Sequence, residues 1–139
     1  MKYILDTNVL SELTKPIPNK NVLEWFENCP EEEMYISSIT LGEIEGGIVS
    51  IAPGKKQNQL MIWFGSLQNS FKSRIFPVDD ITAIRWGELR GKLKQKGITI
   101  SVIDGLIAAT AIANNAVLVT RNMKDFDFPG IELINPWIE

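Results

Sequence analysis

Four acidic side chains stand where a predicted strand ends, where a helix begins, or in the loop that follows a strand. Asp6 closes the first apolar run, Glu43 is predicted in the first turn of the helix after the second, and Asp104 in the first turn of the last long helix. Asp125 follows the fourth run, three residues after Asn122. Clustered carboxylates repel one another and take up protons, and a hard divalent cation relieves that repulsion. Oxygen-only ligands favour Mg²⁺ or Mn²⁺, so the set predicts metal-activated water that attacks a phosphodiester.

Two of these acids also fit an ordinary structural role. Thr40 with Glu43, and Ser101 with Asp104, match the capping box, in which an acid three residues after the cap accepts a hydrogen bond from a free backbone amide. Asp104 fits that role less well than Glu43. Its helical pattern is apolar nearly all round, which predicts a central, buried helix, and a buried carboxylate is costly unless it is paired or bound to a metal.

The other two acids have simpler alternatives. Asp6-Thr7-Asn8 is typical of a turn that leads into a helix, because Asp and Asn favour such positions. Asp125 is either part of the acidic site or an exposed acid at the start of a turn that Phe126 anchors in the core.

The composition excludes several classes of catalytic chemistry. The 139 residues include no histidine and one cysteine, Cys29, which excludes Ser-His-Asp and Cys-His triads, His-ligated zinc and an internal disulfide. The net charge of -3 argues against a general nucleic-acid-coating protein. Residues 85–96, with five cations against one acid, form either a solvated helix face or a surface for phosphates. No segment resembles a signal peptide or a membrane span, so we expect a cytoplasmic protein with no membrane partner.

The order of apolar patterns predicts the fold. Short runs rich in β-branched residues predict strands at 3–5, 34–39, 75–78, 116–120 and 131–134. Helical patterns cover 8–13, 21–28, 41–51, 56–71, 81–96 and 102–114. This alternation indicates an α/β fold, a three-layer α/β/α sandwich around a mostly parallel five-stranded sheet, in a single domain over residues 1–139. Ligands bind such sheets beyond the carboxyl ends of the strands, where the acids fall.

Four segments, in this order and at these spacings, resemble the PIN domain. They are Ile4-Leu5-Asp6-Thr7-Asn8-Val9-Leu10, Leu41-Gly42-Glu43-Ile44, Ile103-Asp104-Gly105-Leu106-Ile107-Ala108-Ala109-Thr110-Ala111, and Val119-Thr120-Arg121-Asn122 with Asp125-Phe126. More narrowly, the set is similar to VapC toxins of bacterial type II toxin-antitoxin pairs, including the FitB-like branch. A lone Asp-Thr-Asn is weak evidence, whereas four ordered motifs from Tyr3 to about Phe126 are specific.

The resemblance implies an activity and partners. Such proteins are Mg²⁺-dependent endoribonucleases that cleave a structured RNA such as tRNA or rRNA and arrest growth. They usually form homodimers. A small cognate antitoxin of the VapB type silences them, in a toxin-antitoxin hetero-oligomer, by lying in a groove and reaching into the acidic site.

The resemblance also assigns residues. Asp6, Glu43 and Asp104 match the first three acidic positions and are the expected metal ligands. Asn122 stands where many relatives carry Asp, so Asn122 or Asp125 is expected to complete the site, with one or two metals bound. The residues matching nearby polar positions, which orient ligands or water, are Thr7, Asn8 and Thr120.

Other functions are compatible with parts of the sequence. A haloacid-dehalogenase-type phosphatase would need a second Asp where Asn8 stands. A receiver domain would need its phosphoacceptor after the middle strand and a late Lys, which Asp79-Asp80 and Lys124 match poorly. An idle module of the same fold would bind RNA or a protein partner without Mg²⁺-dependent cleavage.

Apolar side chains on two early helices suggest a docking surface. Trp25, Phe26, Ile44 and Ile48 exceed what a sheet-facing stripe readily buries. One hypothesis is that they border a groove for an amphipathic partner helix, and the alternative is core packing.

Overall fold

A parallel five-stranded sheet forms the centre of the computed structural model, which describes residues 1–138. Its strands are β1 (Tyr3–Leu5), β2 (Met34–Ser37), β3 (Ile75–Phe76), β4 (Val117–Val119) and β5 (Leu133–Ile134). Their spatial order is β3-β2-β1-β4-β5, and every neighbouring pair is parallel. The chain builds outward from β1 to β3 and then returns to the other side of β1, so strand order reverses between β1 and β4. Ligands of open α/β sheets bind at such a reversal.

Six helices connect these strands. They are α1 (Thr7–Glu12), α2 (Lys20–Asn28), α3 (Ser38–Val49), α4 (Lys55–Ser70), α5 (Asp80–Gln95) and α6 (Val102–Ala113). Short 3-10 helices lie at Glu31–Glu33 and Met123–Phe126. The predicted fold class, with all five strands and all six helices, is confirmed. None of the helices within residues 1–138 is long and apolar enough to cross a lipid bilayer.

The sheet is covered by helices on both faces. Successive side chains of a strand point to opposite faces, so Ile4 and Leu5 of β1 belong to different cores. Leu5 packs with apolar residues of α1, α3 and α4, among them Val9, Ile44, Ile48 and Phe64. Ile4 packs with α6 and the segments around β4, including Ile107, Ala108, Leu118 and Phe126. Burial on both faces explains why the strands are short, continuous apolar runs.

The start of α3 differs from the sequence prediction. Ser37, the last residue of β2, is the N-cap, and its hydroxyl accepts a hydrogen bond from the Ile39 amide at 3.2 Å. Thr40 is therefore inside the helix and fully buried. Glu43 lies in the second helical turn, so its placement in the first turn and its capping-box role were wrong.

The start of α6 follows the prediction only in part. Ser101 is the N-cap, and its hydroxyl accepts a hydrogen bond from the Asp104 amide at 3.2 Å. The helix is buried from Gly105 onward for most of its length, but Val102 and Ile103 remain 55% and 38% exposed. The expectation of burial along the whole helix was wrong for this first turn, which leaves Asp104 accessible to a ligand.

Candidate active site

Asp6 is a buried carboxylate at the point where the strand order reverses. Its residue is 6% exposed, and its amide donates to the Val119 carbonyl at 2.9 Å, which extends the pairing of β1 with β4. One carboxylate oxygen accepts a hydrogen bond from the Thr7 amide at 2.8 Å. The other accepts one from the Thr120 hydroxyl at 2.7 Å. These bonds orient the carboxylate between the two strands.

Asn8 joins the residues that follow β1 to those that follow β4. Its Nδ2 lies 3.5 Å from Asp6 Oδ2 and 3.5 Å from Thr120 Oγ1. Its Oδ1 accepts a hydrogen bond from the Arg121 amide at 3.3 Å. The Thr120 hydroxyl also accepts one from the Asn122 amide at 3.1 Å. The structure thus gathers Thr7, Asn8 and Thr120 around Asp6.

Glu43 and Asp104 approach Asp6 from two other helices. Glu43 is exposed, and its carboxylate accepts a hydrogen bond from the Thr7 hydroxyl at 2.6 Å. Asp104 is half-buried in the first turn of α6. Within residues 1–138, no ion pair involves any of these three acids, so no protein cation neutralises them there.

The electrostatics couple the three acids. Burial raises the pKa of Asp6 above its usual range, and repulsion by the Glu43 and Asp104 carboxylates acts in the same direction. The hydrogen bonds from Thr120 and Thr7 oppose this rise by stabilising the charged form, but they do not cancel it. A cation placed among the three groups would therefore be bound favourably.

The donor set fits a hard divalent cation, although the coordination is not preformed. All three candidate ligands offer carboxylate oxygens, which Mg²⁺ and Mn²⁺ prefer. In the described part of the chain, no three acidic or cysteine side chains lie close enough together to enclose a metal ion. Glu43 and Asp104 would have to turn toward Asp6 to bind one, which their partial exposure allows.

The fourth acidic position is placed differently from the other three. Asn122 and Asp125 are both exposed, and Asn122 reaches the site through its backbone amide. Among residues 1–138, the carboxylates whose repulsion raises the pKa of Asp6 are those of Glu43 and Asp104, without a contribution from Asp125. Phe126 beside it is fully buried. This placement favours the alternative in which Asp125 begins a turn that Phe126 anchors.

A groove leads away from Glu43 between α1, α3 and α4. Its inner part, about 270 Å³, is lined by Thr7, Glu43, Ile44 and Ile48 among others. Its outer part, about 960 Å³, shares Thr14, Ile51, Leu60 and Trp63 with the inner part and adds Lys15, Lys55 and Lys56. The groove is therefore acidic at one end, apolar in the middle and basic at the other.

The early aromatic residues lie away from this groove. Trp25 packs edge-on against Tyr3, at 5.6 Å between ring centroids, and against Phe26 at 5.5 Å. Both residues pack against the core, and Trp25 borders a small pocket with Tyr3 and Cys29. The hypothesis that Trp25, Phe26, Ile44 and Ile48 border one groove was wrong, because only the two isoleucines line it.

Sequence analysis did not single out Glu12. This residue is only 5% exposed at the end of α1, where its carboxylate pairs with Lys15 Nζ at 2.8 Å and accepts a hydrogen bond from the Asn19 amide at 2.8 Å. An acid three residues after the buried Val9 is the signal that could have found it, because that spacing places Glu12 on the apolar face of α1.

A protein-family model matches most of the chain. The family model described as the PIN domain matches residues 3–128. The chain belongs to the PIN-domain family. This match covers β1 through β4, and therefore every residue of the candidate site from Asp6 to Asp125.

Individual relatives of this PIN domain cover nearly its full length. The chain is 36% identical over 138 residues to the VapC ribonuclease Y4jK of Sinorhizobium fredii, with 96% of each sequence covered. It is 33% identical over 135 residues to the tRNA(fMet)-specific endonuclease VapC of Salmonella typhimurium, again with 96% of each covered. The crystal structure of FitAcB from Neisseria gonorrhoeae matches with a TM-score of 0.92 at 35% identity, covering 97% of this chain and 98% of the other. Other matched structures are VapBC complexes bound to DNA.

Proposed function

We propose that this PIN-domain chain is a divalent-metal-dependent endoribonuclease toxin of a toxin-antitoxin pair. One observation carries the proposal. Asp6, a buried carboxylate, is held by Thr7 and Thr120 at the reversal of strand order and is electrically coupled to Glu43 and Asp104. PIN-domain nucleases generally depend on a divalent metal, and Mg²⁺ is the ion proposed here, with Mn²⁺ as a substitute.

The proposed substrate is a structured RNA such as tRNA or rRNA. Relatives that align over nearly the whole chain are named ribonucleases, and one of them is named as specific for a tRNA. No histidine is required for cleavage, because a divalent cation activates water and stabilises negative charge that develops on the phosphate. This suits a chain that contains no histidine.

The chain's own residues supply orientation and charge. Asp6, Glu43 and Asp104 are the proposed ligands, and their negative charge is what binds the cation. Thr7 and Thr120 hold Asp6 by hydrogen bonds of 2.8 and 2.7 Å, which leaves part of its lone-pair capacity for a metal. Asn8 ties the loop after β4 to Asp6, so the two halves of the site keep their spacing.

The proposed role of Asn122 is weaker. It offers a neutral carbonyl oxygen at the position where, on the family resemblance, many relatives carry Asp. A metal bound on its side of the site would therefore be held less tightly.

The proposed inhibitor is a VapB-type antitoxin that lies in the groove. An amphipathic segment would place apolar side chains on Ile51, Leu60 and Trp63. A basic residue at one of its ends would reach Glu43, and acidic residues at the other would meet Lys55 and Lys56. Matched structures of FitAB and VapBC complexes support such a partner. A homodimer, and a hetero-oligomer with the antitoxin, are proposed on the family resemblance.

The decisive experiment compares RNA cleavage by wild type and Asp104→Asn with and without Mg²⁺. The variant should lose at least about 100-fold in rate, equivalent to about 2.7 kcal/mol in barrier. Its melting temperature without metal should be unchanged or higher, because one repelling charge is gone. Asp127→Asn removes an equal charge from an exposed residue outside the site and should cleave normally.

The rival function, an idle binding module, predicts a different result. Such a protein would cleave no RNA in any metal, and substitution of Asp6 or Asp104 would change nothing. Cleavage by Asp104→Asn within about twofold of wild type would exclude Asp104 from catalysis.

A further inference from the structure

We infer that Arg121 and Lys15 form a phosphate-binding pair that holds the RNA strand beside the cleaved bond, with Glu12 as the positioning residue of Lys15. The inference rests on the proposed ribonuclease function and deepens it, because it identifies how a site with three carboxylates retains a polyanion. Neither cation is a metal ligand, and neither takes part in the proposed chemistry.

Arg121 is connected to the acidic site through its backbone. Its amide donates to Asn8 Oδ1 at 3.3 Å, and Asn8 Nδ2 lies 3.5 Å from Asp6 Oδ2. Its guanidinium lies 5.1 Å from the centre of the Trp137 ring, and this cation-π contact restricts the side chain. Within residues 1–138 the guanidinium forms no ion pair, so its donors can bind a ligand.

Trp137 is itself fixed in place. Its carbonyl accepts a hydrogen bond from Asn21 Nδ2 at 2.7 Å, which ties it to the start of α2. Its amide donates to Asn135 Oδ1 at 2.9 Å. Arg121 therefore lies on the ring of a residue whose backbone is held by α2 and by a local turn, so little ordering is left for an RNA phosphate to impose on it.

Lys15 is held at the end of α1 by the buried Glu12. Lys15 Nζ lies 2.8 Å from Glu12 Oε1, while the Lys15 side chain remains 55% exposed. The hydrogen bond from Lys15 lowers the pKa of Glu12, and the positive charge of Arg121 acts in the same direction. Glu12 also accepts a hydrogen bond from the Asn19 amide, and Asn21 binds the carbonyl of Trp137, on whose ring Arg121 lies. The start of α2 therefore ties the segments of both cations to one region of the surface.

The charges around the site explain why such a pair is needed. Three carboxylates in a chain with a net charge of -3 repel RNA, so binding depends on local cations. A guanidinium offers planar donors that match phosphate oxygens. Lys15 also lines the groove with Lys55 and Lys56, which places cations along a path leading away from the acids.

The basic face of α5 is the competing RNA surface. There the Arg85 guanidinium lies 3.1 Å from Glu88, and the Arg90 guanidinium lies 5.0 Å from the Trp86 ring centre. No hydrogen bond in residues 1–138 connects this face to Asp6, whereas Asn8 connects Arg121 to it. The geometry therefore favours Arg121 and Lys15.

The test separates RNA binding from cleavage. In an Asp104→Asn background, a fluorescein-labelled RNA stem-loop is titrated with protein at several salt concentrations, and anisotropy gives the Kd. Arg121→Gln and Lys15→Gln should each weaken binding about five- to tenfold at low salt and reduce the salt slope by about one. Lys15→Arg should bind normally.

Matched variants control for charge and folding. Lys72→Gln makes the same charge change at an exposed residue just before β3. Because β3 is the edge strand two places away from β1, this variant should leave the Kd within about twofold. Arg121 is exposed, so Arg121→Gln should keep the wild-type melting temperature even if Lys15→Gln lowers it by leaving the buried Glu12 without its cation.

Three results would overturn the inference. Arg121→Gln and Lys15→Gln could bind RNA as tightly as Lys72→Gln does. The double variant Lys92→Gln/Lys96→Gln could instead carry the loss of binding. Poly-glutamate could compete as well as unlabelled RNA of equal charge, which would make the pair a contact for an acidic protein segment. In each case RNA cleavage by wild type would leave the proposed function intact, whereas a wild type that neither binds nor cleaves RNA would refute both.

Discussion

The hydroxyl of Thr7 donates a 2.6 Å hydrogen bond to the carboxylate of Glu43, 36 residues further along the chain. The amide of the same Thr7 donates to Asp6 at 2.8 Å. A single threonine at the start of α1 therefore touches two of the three acids, and it links the end of β1 to the middle of α3. Because Glu43 is exposed, this bond limits the positions that its carboxylate can take before a metal binds.

Thr7→Val should weaken metal binding without unfolding the chain. The substitution keeps the shape of the side chain but removes the donor to Glu43, whose carboxylate then has more conformations to lose when a metal binds. Partners of metal ligands typically contribute 10- to 100-fold to affinity, so we expect a loss of about tenfold in Mn²⁺ or Mg²⁺ affinity by calorimetry. Thr7→Ser keeps the hydroxyl and serves as the control. An unchanged isotherm for Thr7→Val would mean that Glu43 needs no such restraint.

The raised pKa of Asp6 predicts a pH dependence of stability. Burial is the main cause of the rise, so the folded chain binds this proton more tightly than the unfolded chain. The stability that Asp6 contributes is therefore present at low pH and is lost as the pH rises through its folded pKa. Without metal, the melting temperature of Asp6→Asn relative to wild type should increase as the pH rises above about 4, the usual pKa of an aspartate.

The same titration should govern metal binding. A divalent cation competes with the proton for Asp6, so its affinity should fall as the pH is lowered. Calorimetry at several pH values should also detect proton release on binding. Two results together would contradict a raised pKa at Asp6: a melting-temperature difference between Asp6→Asn and wild type that does not change with pH, and metal binding that releases no proton.

The fourth position can be tested by adding a charge. Asn122→Asp introduces a carboxylate at this position and should tighten divalent binding several-fold, because a charged ligand replaces a neutral carbonyl. Asp125→Ala should leave the isotherm unchanged, since Asp125 is exposed and does not contribute to the raised pKa of Asp6. Weaker binding in Asp125→Ala would instead make Asp125 a ligand. No change in either variant would leave a three-carboxylate site.

Gly105 should not tolerate a larger side chain. A Cβ there would lie 2.9 Å from Cδ1 and Nε1 of Trp86, closer than van der Waals contact. Overpacking of this kind costs about 1–3 kcal/mol, while the change from glycine to alanine gains about 1 kcal/mol in helix propensity. Gly105→Ala should therefore lower the free energy of unfolding, and it should displace the turn of α6 that carries Asp104.

A second variant separates the clash from a general loss of packing. Trp86→Leu removes the ring that the new methyl group would meet. In the double variant, the destabilisation should be smaller than the sum of the two single effects, and denaturant unfolding measures this coupling. If the two single effects on the free energy of unfolding were strictly additive, α5 and α6 would accommodate the new methyl group without strain.

Local patterns in the sequence were enough to predict the elements and their order. The strand at Tyr3–Leu5 was predicted with its observed bounds, and every helix was found to within a few residues. These patterns carry the information because hydrophobic periodicity and stop residues act over a few positions. Alternation of strands and helices then restricts the sheet to a parallel arrangement, which brings residues such as Asp6 and Asn122 to one edge.

Only the tertiary structure decided which of several possible local contacts form. Ser37, Ser38 and Thr40 are all capable caps for α3, and the end of β2 at Ser37 together with the burial of Thr40 selected Ser37. That choice moved Glu43 out of the first turn. The cap of α3 is the residue at which β2 ends. The end of β2 depends on its pairing with β1 and β3 rather than on the residues next to the cap.

The hydrogen bonds within the site could not be predicted from local sequence patterns for the same reason. Asp6 and Thr120 are 114 residues apart, and the parallel register of β1 with β4 is what brings them within 2.7 Å. The sequence by itself determined that carboxylates follow the strands, because residue type and position in the chain are local properties. Which hydroxyl orients which carboxylate, and that Glu12 is buried beside Lys15, were decided by the packing of strands and helices that are distant in the chain.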